Sequence, residues 1–308
     1  MEEQQEGQAA SPRVSVVIVS YHNAGALRRC LTALESARER ESFEIIVVDN
    51  GSRDECAQVD AEFPGIQMLR LPRNFGLVKA LNIGMRTALG EFFLFLEPEM
   101  EVAADTVSRL AAQLEASPDA VAVCPLVVSP AGATLSRVHP LPLPPELYQA
   151  WCEGDFQGWS TPPAGADPLE VDYFKPPAMM VRSYFLRGLR HIDDRYGQAW
   201  WELEICTQIR KVAKKILLVG AASVVSHPPD QPPGMPANIR GLLEADRALG
   251  AAVWCAKHYG WGQGFKFRLA ATFLSLGRLL RLRDAGCQWA LFSCLLNGQK
   301  LDGSQTAL

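Results

Sequence analysis

The chain has no C-x-x-C pair. Its eight cysteines, Cys30, Cys56, Cys124, Cys152, Cys206, Cys255, Cys287 and Cys294, are scattered through 308 residues. That scatter excludes the common zinc-site and disulfide-framework patterns and suits a reducing compartment. No window holds the roughly 18 uninterrupted apolar residues of a membrane-spanning helix. An excess of basic charge is lacking too. The 30 Lys and Arg stand against 34 Asp and Glu, and a net charge of -4 gives no general case for a nucleic-acid partner. Met1–Gln8 are acidic and polar, unlike a secretory leader. No glycine-rich phosphate loop follows the first strand-like run, and neither the dinucleotide fingerprint nor the Walker lysine pattern stands at a strand-to-helix junction. Gly260-Trp261-Gly262-Gln263-Gly264 lies far from any strand and predicts a flexible turn. A bound nucleotide would therefore have to be held by loop carboxylates, base stacking and a metal. These absences predict a cytoplasmic globular protein.

What is present is strand and helix in alternation. After a tail at 1–12 expected to be disordered, Val14–Val19 is a β-branched run, hence a buried strand, stopping at Ser20-Tyr21-His22-Asn23. Helical spacing follows through Leu27, Cys30, Leu31 and Leu34, then a second buried strand at Ile45–Val48 ends in Asp49-Asn50-Gly51-Ser52. A helix near 54–62, a short strand near 67–71, the turn Asn74-Phe75-Gly76 and a helix over 77–89 come next. Phe92–Leu96 is an unbroken apolar run that ends in Glu97-Pro98-Glu99, and Pro98 forbids a central strand from continuing. An amphipathic helix over 103–115 and a strand over 120–128 complete four strand–helix alternations. That order predicts a doubly wound, mostly parallel α/β sheet with right-handed crossovers.

In such sheets ligands sit outside the carboxyl ends of the strands. Glu97 and Glu99 fall there, and two carboxylates in one turn can hold a hard divalent cation through oxygen. A plain polar turn leaving a strand fits those residues equally well. From 129 to 177 the composition shifts: nine of the 21 prolines lie between Pro140 and Pro177, among Trp151, Phe156 and Trp159. Long loops of this kind are functional loops or insertions, and their aromatics either stack on a ligand or pin the loop to the body. Asn238–Lys257 has helical spacing. Residues 265–283 combine Lys266, Arg268, Arg278, Arg281 and Arg283 with apolar residues and no acid. This basic amphipathic stretch either lies on an anionic membrane surface or packs on the domain with its basic face solvated.

Four segments in order, Val17-Ile18-Val19-Ser20-Tyr21-His22-Asn23, Val47-Val48-Asp49-Asn50-Gly51-Ser52, Asn74-Phe75-Gly76 with Asn82-Ile83-Gly84, and Leu96-Glu97-Pro98-Glu99, resemble the family 2 glycosyltransferases, on their rhamnosyltransferase-like branch. The resemblance runs from about Val14 to Tyr259. It implies the GT-A fold as a domain over 13–235, with 129–177 as acceptor and lid region and a helical extension over 236–308. Tyr21 and Asp49 then flank the nucleobase, and Asn74, Gly76 and Asn82 lie by the ribose and sugar. Glu97 and Glu99 replace the two aspartates of the metal-binding D-x-D turn, with Glu99 as main ligand. Ala199-Trp200-Trp201-Glu202-Leu203-Glu204-Ile205-Cys206 resembles the start of the catalytic helix, which makes Glu202 the base, Trp201 the replacement of the acid before it, and Glu204 the replacement of a second aspartate. At a helix start the dipole is expected to lower the Glu202 pKa. His227 matches a histidine near metal and diphosphate.

The implied activity is an inverting transfer of a sugar, rhamnose among the candidates, from a dTDP- or UDP-sugar to a glycan or lipid-linked acceptor in cell-surface polysaccharide synthesis. It requires Mn²⁺ or Mg²⁺ and suits a cytoplasmic protein, and a lipid-linked acceptor would make sense of the membrane-surface alternative for 265–283. The substitutions at Glu97, Glu99 and Trp201 leave a non-catalytic GT-A module, binding nucleotide, glycan or a partner enzyme, as the rival. A GT-A-like nucleotidyltransferase lacks its glycine-rich, lysine-containing N-terminal loop here.

Overall fold

The computed structural model describes residues 11–162, 167–175, 177–228, 236–281 and 284–298. Most of the expected tail and the junction at 235 therefore lie outside the described residues, as does Arg283 of the basic stretch.

The strands follow from the β-branched and apolar runs. β1 (Val14–Ser20) is followed by α1 (Ala24–Arg38) and β2 (Phe43–Asp49). Where one polar helix was expected, a 3-10 turn (Glu55–Gln58) leads into a single helical turn, α2 (Val59–Glu62). Next come β3 (Gln67–Arg70), α3 (Leu77–Thr87), β4 (Phe92–Leu96), β5 (Met100–Val102), α4 (Thr106–Ala116) and β6 (Ala120–Val128). Then follow β7 (Val138–His139), α5 (Pro144–Glu153), β8 (Leu169–Val171), β9 (Tyr173–Phe174), β10 (Ala178–Arg182), α6 (Ser183–Gly188), α7 (Trp201–Lys211) and β11 (Lys215–Ser226). Three helices close the described chain: α8 (Ala237–Tyr259), α9 (Trp261–Leu280) and α10 (Ala285–Asn297).

The main sheet runs β3-β2-β1-β4-β10-β6-β11-β5, with β8 also on β11. β1 pairs parallel with β2 and β4, β2 with β3, and β6 with β11. β10 is antiparallel to both β4 and β6, and β5 and β8 are antiparallel to β11. The mostly parallel α/β architecture expected from the alternation is therefore present.

Two-residue alternation splits the core into two layers. Val14, Val16 and Ile18 of β1 join Leu27, Leu31 and Leu34 of α1 and Leu110 and Leu114 of α4 on one face. Val17, Ile46, Val48, Phe93 and Phe95 join α3, α7 and α8 on the other. Close approach decides one residue type there. A Cβ on Gly84 would meet Val17 Cγ1 at 2.7 Å, so glycine lets α3 lie against the sheet.

Three expectations change. The proline-rich region holds a helix: Pro144 and Pro145 occupy the first helical positions, where a missing N–H costs nothing, and α5 buries Leu147, Ala150 and Trp151. Its aromatics pack on one another, with Phe156 5.8 Å from Trp159 and 5.9 Å from Tyr173, so they pin the segment to the body. The glycine cluster at 260–264 is no flexible turn, because α9 begins at Trp261. Gly264 sits where a Cβ would meet Ala252 O at 2.5 Å, and the glycine allows α8 and α9 to cross closely. The runs Ile216–Val219 and Ser223–His227 predict two short strands, but the structure joins them in one twelve-residue strand with a register shift between Val219 and Ser223.

Candidate active site

The carboxyl ends of β1, β2 and β4 converge, and short hydrogen bonds tie their loops into one rim. Asp49, the last residue of β2, is buried, and its Oδ1 accepts the Ser52 N–H at 2.9 Å. Asn50 beside it donates from Nδ2 to Asn74 Oδ1 at 3.0 Å and accepts the Phe75 N–H at 2.9 Å. Asn74 Oδ1 also accepts the Gly76 N–H at 2.8 Å, and Gly76, at φ 86°, starts α3 from a left-handed conformation. Burial pushes the Tyr21 hydroxyl up, opposed by a hydrogen bond with Asn74 and by the charge of Arg53. Tyr21, Asp49, Asn74 and Gly76 thus form one contiguous wall.

Asn23 joins that wall to the acidic turn. Its Oδ1 accepts from Ser20 Oγ at 2.6 Å and from the Tyr21 N–H at 3.2 Å, while its Nδ2 donates to Glu99 Oε1 at 3.3 Å. The turn itself is set by two backbone bonds: the Glu97 N–H donates to Pro177 O at 2.9 Å, and the Met100 N–H donates to Glu97 O at 3.1 Å. Glu97 is exposed as a residue, yet protein closely surrounds its carboxyl. Desolvation first, then the charges of Glu99 and Glu202, push it up to about 7, with Lys175 pulling the other way.

Glu202 opens α7, 9% exposed. Its Oε1 accepts the Tyr173 hydroxyl at 3.3 Å. Burial outweighs the hydrogen bonds and the charge of Lys175, and its pKa is raised. The helix-dipole lowering expected from its position is therefore overridden by desolvation. Trp200, just before it, takes a left-handed conformation at φ 72°, a costly choice for a non-glycine residue. Its buried indole offsets that cost, with Nε1 donating to Arg247 O at 2.8 Å. Trp201 packs edge-on to Phe95 at 5.7 Å and, with Glu97, Pro98 and Pro177, lines a cavity of about 40 Å³. A sugar nucleotide needs several hundred cubic ångströms, so this cavity is too small to enclose one.

Two expected site residues are placed differently from the rest. The Asn82 side chain is spent on a backbone: Nδ2 donates to Ile192 O at 2.8 Å and Oδ1 accepts the Ile192 N–H at 3.0 Å. The His227 N–H donates to Glu99 O at 3.0 Å, but its ring faces Glu101, with Nε2 2.8 Å from Oε2. Glu204, the replacement of the family's second aspartate, belongs to a separate buried cluster with Tyr196, Gln208, Lys257 and His258. Sequence reasoning missed Asn23, Asn50, Tyr173 and Lys175. Of these, Asn50 stood beside Asp49 in a strand-end turn and could have been found.

The donor set for a cation is Glu97 and Glu99. Among the described residues no group of three His, Cys, Asp or Glu is placed to hold a metal. Magnesium is often held by one or two carboxylates with the remaining oxygens coming from substrate phosphates and water. The neighbouring charge of Glu99, which helps raise the Glu97 pKa, is what a cation held by the two carboxylates would offset. These residues fit an ion that arrives with a diphosphate.

The mostly parallel sheet with its helical C-terminal region has the GT-A fold, and solved structures of glycosyltransferases with that fold superpose on the chain. They include GalNAc-T7 with UDP, GalNAc and Mn²⁺, at TM-score 0.59 and 17% identity, covering 86% of this chain and 52% of that one. Staphylococcus aureus TarS 1-349 in complex with UDP-GlcNAc gives TM-score 0.55 and 15% identity, covering 94% and 95%. Residues 15–162 match the model of glycosyl transferase family 2. An undecaprenyl-phosphate 4-deoxy-4-formamido-L-arabinose transferase of Pseudomonas fluorescens is 31% identical over 115 residues, 35% of this chain and 34% of the relative. The chain thus spans about a third of the length of such curated relatives.

Proposed function

We propose that this protein is an inverting glycosyltransferase that uses a UDP- or dTDP-sugar, with residues 13–235 as the transferase domain and 236–308 as its extension. The observation that carries the reading is the meeting of the acidic turn with the start of α7: Glu97 and Trp201, the neighbour of Glu202, line one cavity, and the charges of Glu202 and Lys175 both act on Glu97.

In this reading Tyr21 flanks the base, Asp49 accepts its imide N–H, and Asn74 and Gly76 border the ribose. Glu97 and Glu99 are the residues that would hold a Mn²⁺ or Mg²⁺, and the ion would supply positive charge to the diphosphate. Glu202, whose raised pKa suits a base working near neutrality, takes the proton from an acceptor hydroxyl. The acceptor oxygen forms its bond to the anomeric carbon from the face opposite the diphosphate, the bond to the diphosphate oxygen breaks, and the configuration inverts. Lys175 supplies a second positive charge where the leaving group departs. His227 closes the outer side of the turn. A lipid-linked acceptor for cell-surface polysaccharide is supported by the undecaprenyl-phosphate transferase among the relatives, and rhamnose remains among the donor sugars proposed.

A second reading rests on one observation. Glu202 is nearly sealed and bonded to Tyr173, as in a module that keeps the wall but not the reaction. Thermal unfolding with UDP or dTDP, with and without Mn²⁺, together with donor hydrolysis, separates the two. The transferase reading expects metal-dependent stabilisation lost in Glu99→Ala, and hydrolysis lost in Glu202→Gln while nucleotide stabilisation remains. Stabilisation without hydrolysis in the parent favours the module. No response to any nucleotide refutes both.

A further inference from the structure

The C-terminal helices carry a surface that the transferase reading does not use. Eight of the fourteen exposed large hydrophobic residues among those described fall between Tyr259 and Leu296. On α9 they recur every four residues: Trp261 (76% exposed), Phe265 (51%), Leu269 (43%) and Phe273 (63%), with Leu280 (75%) two turns beyond. That spacing puts them on one stripe of the helix. The opposite side, Gly264, Phe267, Ala271 and Ser275, is buried against the body. α9 is therefore doubly apolar, with only one side covered. Trp261 and Phe265 stack at 5.3 Å and 15°, so the exposed rings are ordered on each other rather than splayed.

The charge along the same helix is one-sided. Between Trp261 and Arg281 stand four of the 30 basic residues and none of the 34 acidic ones, in a chain of net charge -4. Lys266, seven residues before Phe273, and Arg281, eight after it, edge the stripe by helical spacing, and both are exposed. Arg268, by contrast, is consumed as a clasp, donating to Leu295 O at 2.7 Å and Leu296 O at 2.8 Å of α10. An apolar partner of ordinary protein surface would leave Lys266 and Arg281 unanswered at its rim. A surface that takes large rings into an apolar layer and offers anions at its edge answers both.

We propose that the outer stripe of α9 is a docking surface for an anionic lipid bilayer, with Trp261, Phe265, Phe273 and Leu280 entering the headgroup–acyl boundary and Lys266 and Arg281 meeting lipid phosphates. No helix among the described residues is long and apolar enough to cross a membrane, so the contact is in the plane of the surface. It is independent of the sugar-transfer chemistry and is tested without donor or acceptor.

The experiment is flotation of the full chain with vesicles of equal parts phosphatidylcholine and phosphatidylglycerol, against vesicles of phosphatidylcholine alone. Binding to the anionic vesicles is expected, falling as salt rises, with a blue shift of tryptophan fluorescence. Lys266→Glu with Arg281→Glu is expected to reduce partitioning on the order of tenfold or more. Phe265→Ser with Phe273→Ser is expected to abolish it. These side chains are exposed, so unchanged unfolding curves are expected and show that the variants are folded. Absence of binding, equal binding to neutral vesicles, or variants that bind like the parent overturns the proposal. So does sedimentation showing a dimer that Phe273→Ser dissociates, because a second copy would then be the occupant.

Discussion

Asn82→Ala offers a direct test of what the α3 asparagine is for. The side chain is buried in mid-helix and makes a reciprocal pair of bonds, 2.8 Å and 3.0 Å, with both backbone groups of Ile192, 110 residues away. Ile192 is itself buried. Truncation strips partners from one N–H and one C=O at once, and an unsatisfied buried polar group costs about 1–3 kcal/mol. The variant is therefore expected to lose about 2–5 kcal/mol, toward the low end where water reaches the gap. Urea unfolding measures it as a lower midpoint at unchanged slope. Nucleotide-induced stabilisation should survive, because the Asp49–Asn50–Asn74 wall is held by other bonds. A loss below about 0.5 kcal/mol, within the range of ordinary surface changes, combined with a vanished nucleotide response would refute the reasoning. Asn82 would then serve a ligand, as the family resemblance had implied.

Two further outcomes concern charge. Burial alone would raise the Glu204 carboxyl, but hydrogen bonds from His258, Lys257, Gln208 and Tyr196 outweigh it and hold it at about 2, below its ordinary 4.5. A depressed carboxyl stabilises the fold above its unfolded pKa, and that stability is lost as pH falls from about 4.5 toward 2. Glu204→Gln should lose this acid-side dependence together with about 3–5 kcal/mol at neutral pH, and melting curves from pH 7 to 3 with an unaltered acid limb would count against it. Lys175 lowers both Glu97 and Glu202. Lys175→Ala should therefore shift the acidic limb of the pH–hydrolysis profile to higher pH, and an unmoved limb would remove Lys175 from the site.

The alternation of β-branched runs with helical spacing was enough to place β1 to β4 and β6 along the chain, because local patterning fixes which face each strand buries, while β5 was missed. Asp49, Asn74 and Gly76 could be picked out for the same reason, since strand-end turns advertise themselves with Asn, Asp and Gly. What was not legible depended on contacts distant in sequence. The resemblance placed the helical Asn82 with the donor-binding residues, but its partner sits at 192 and carries no side-chain signal. The helix dipole argued for a low pKa at Glu202, while its burial, arranged by Tyr173 and its neighbours, decided the sign. Lys175 reached the site only because β10 runs against its neighbours.

That reversal has a consequence for variation. In an all-parallel sheet only segments that follow a strand reach the ligand end. β10 enters from its other end, with Ala178 opposite Leu96, so the chain that precedes it is delivered to Glu97 through the Pro177 carbonyl. The region from Ser129 to Lys175 is thus anchored on the sheet at both ends and again where β8 pairs with β11, while Ser129–Glu153 contributes no strand to the main sheet. It can be lengthened, shortened or exchanged for another acceptor module while the nucleotide wall keeps its geometry.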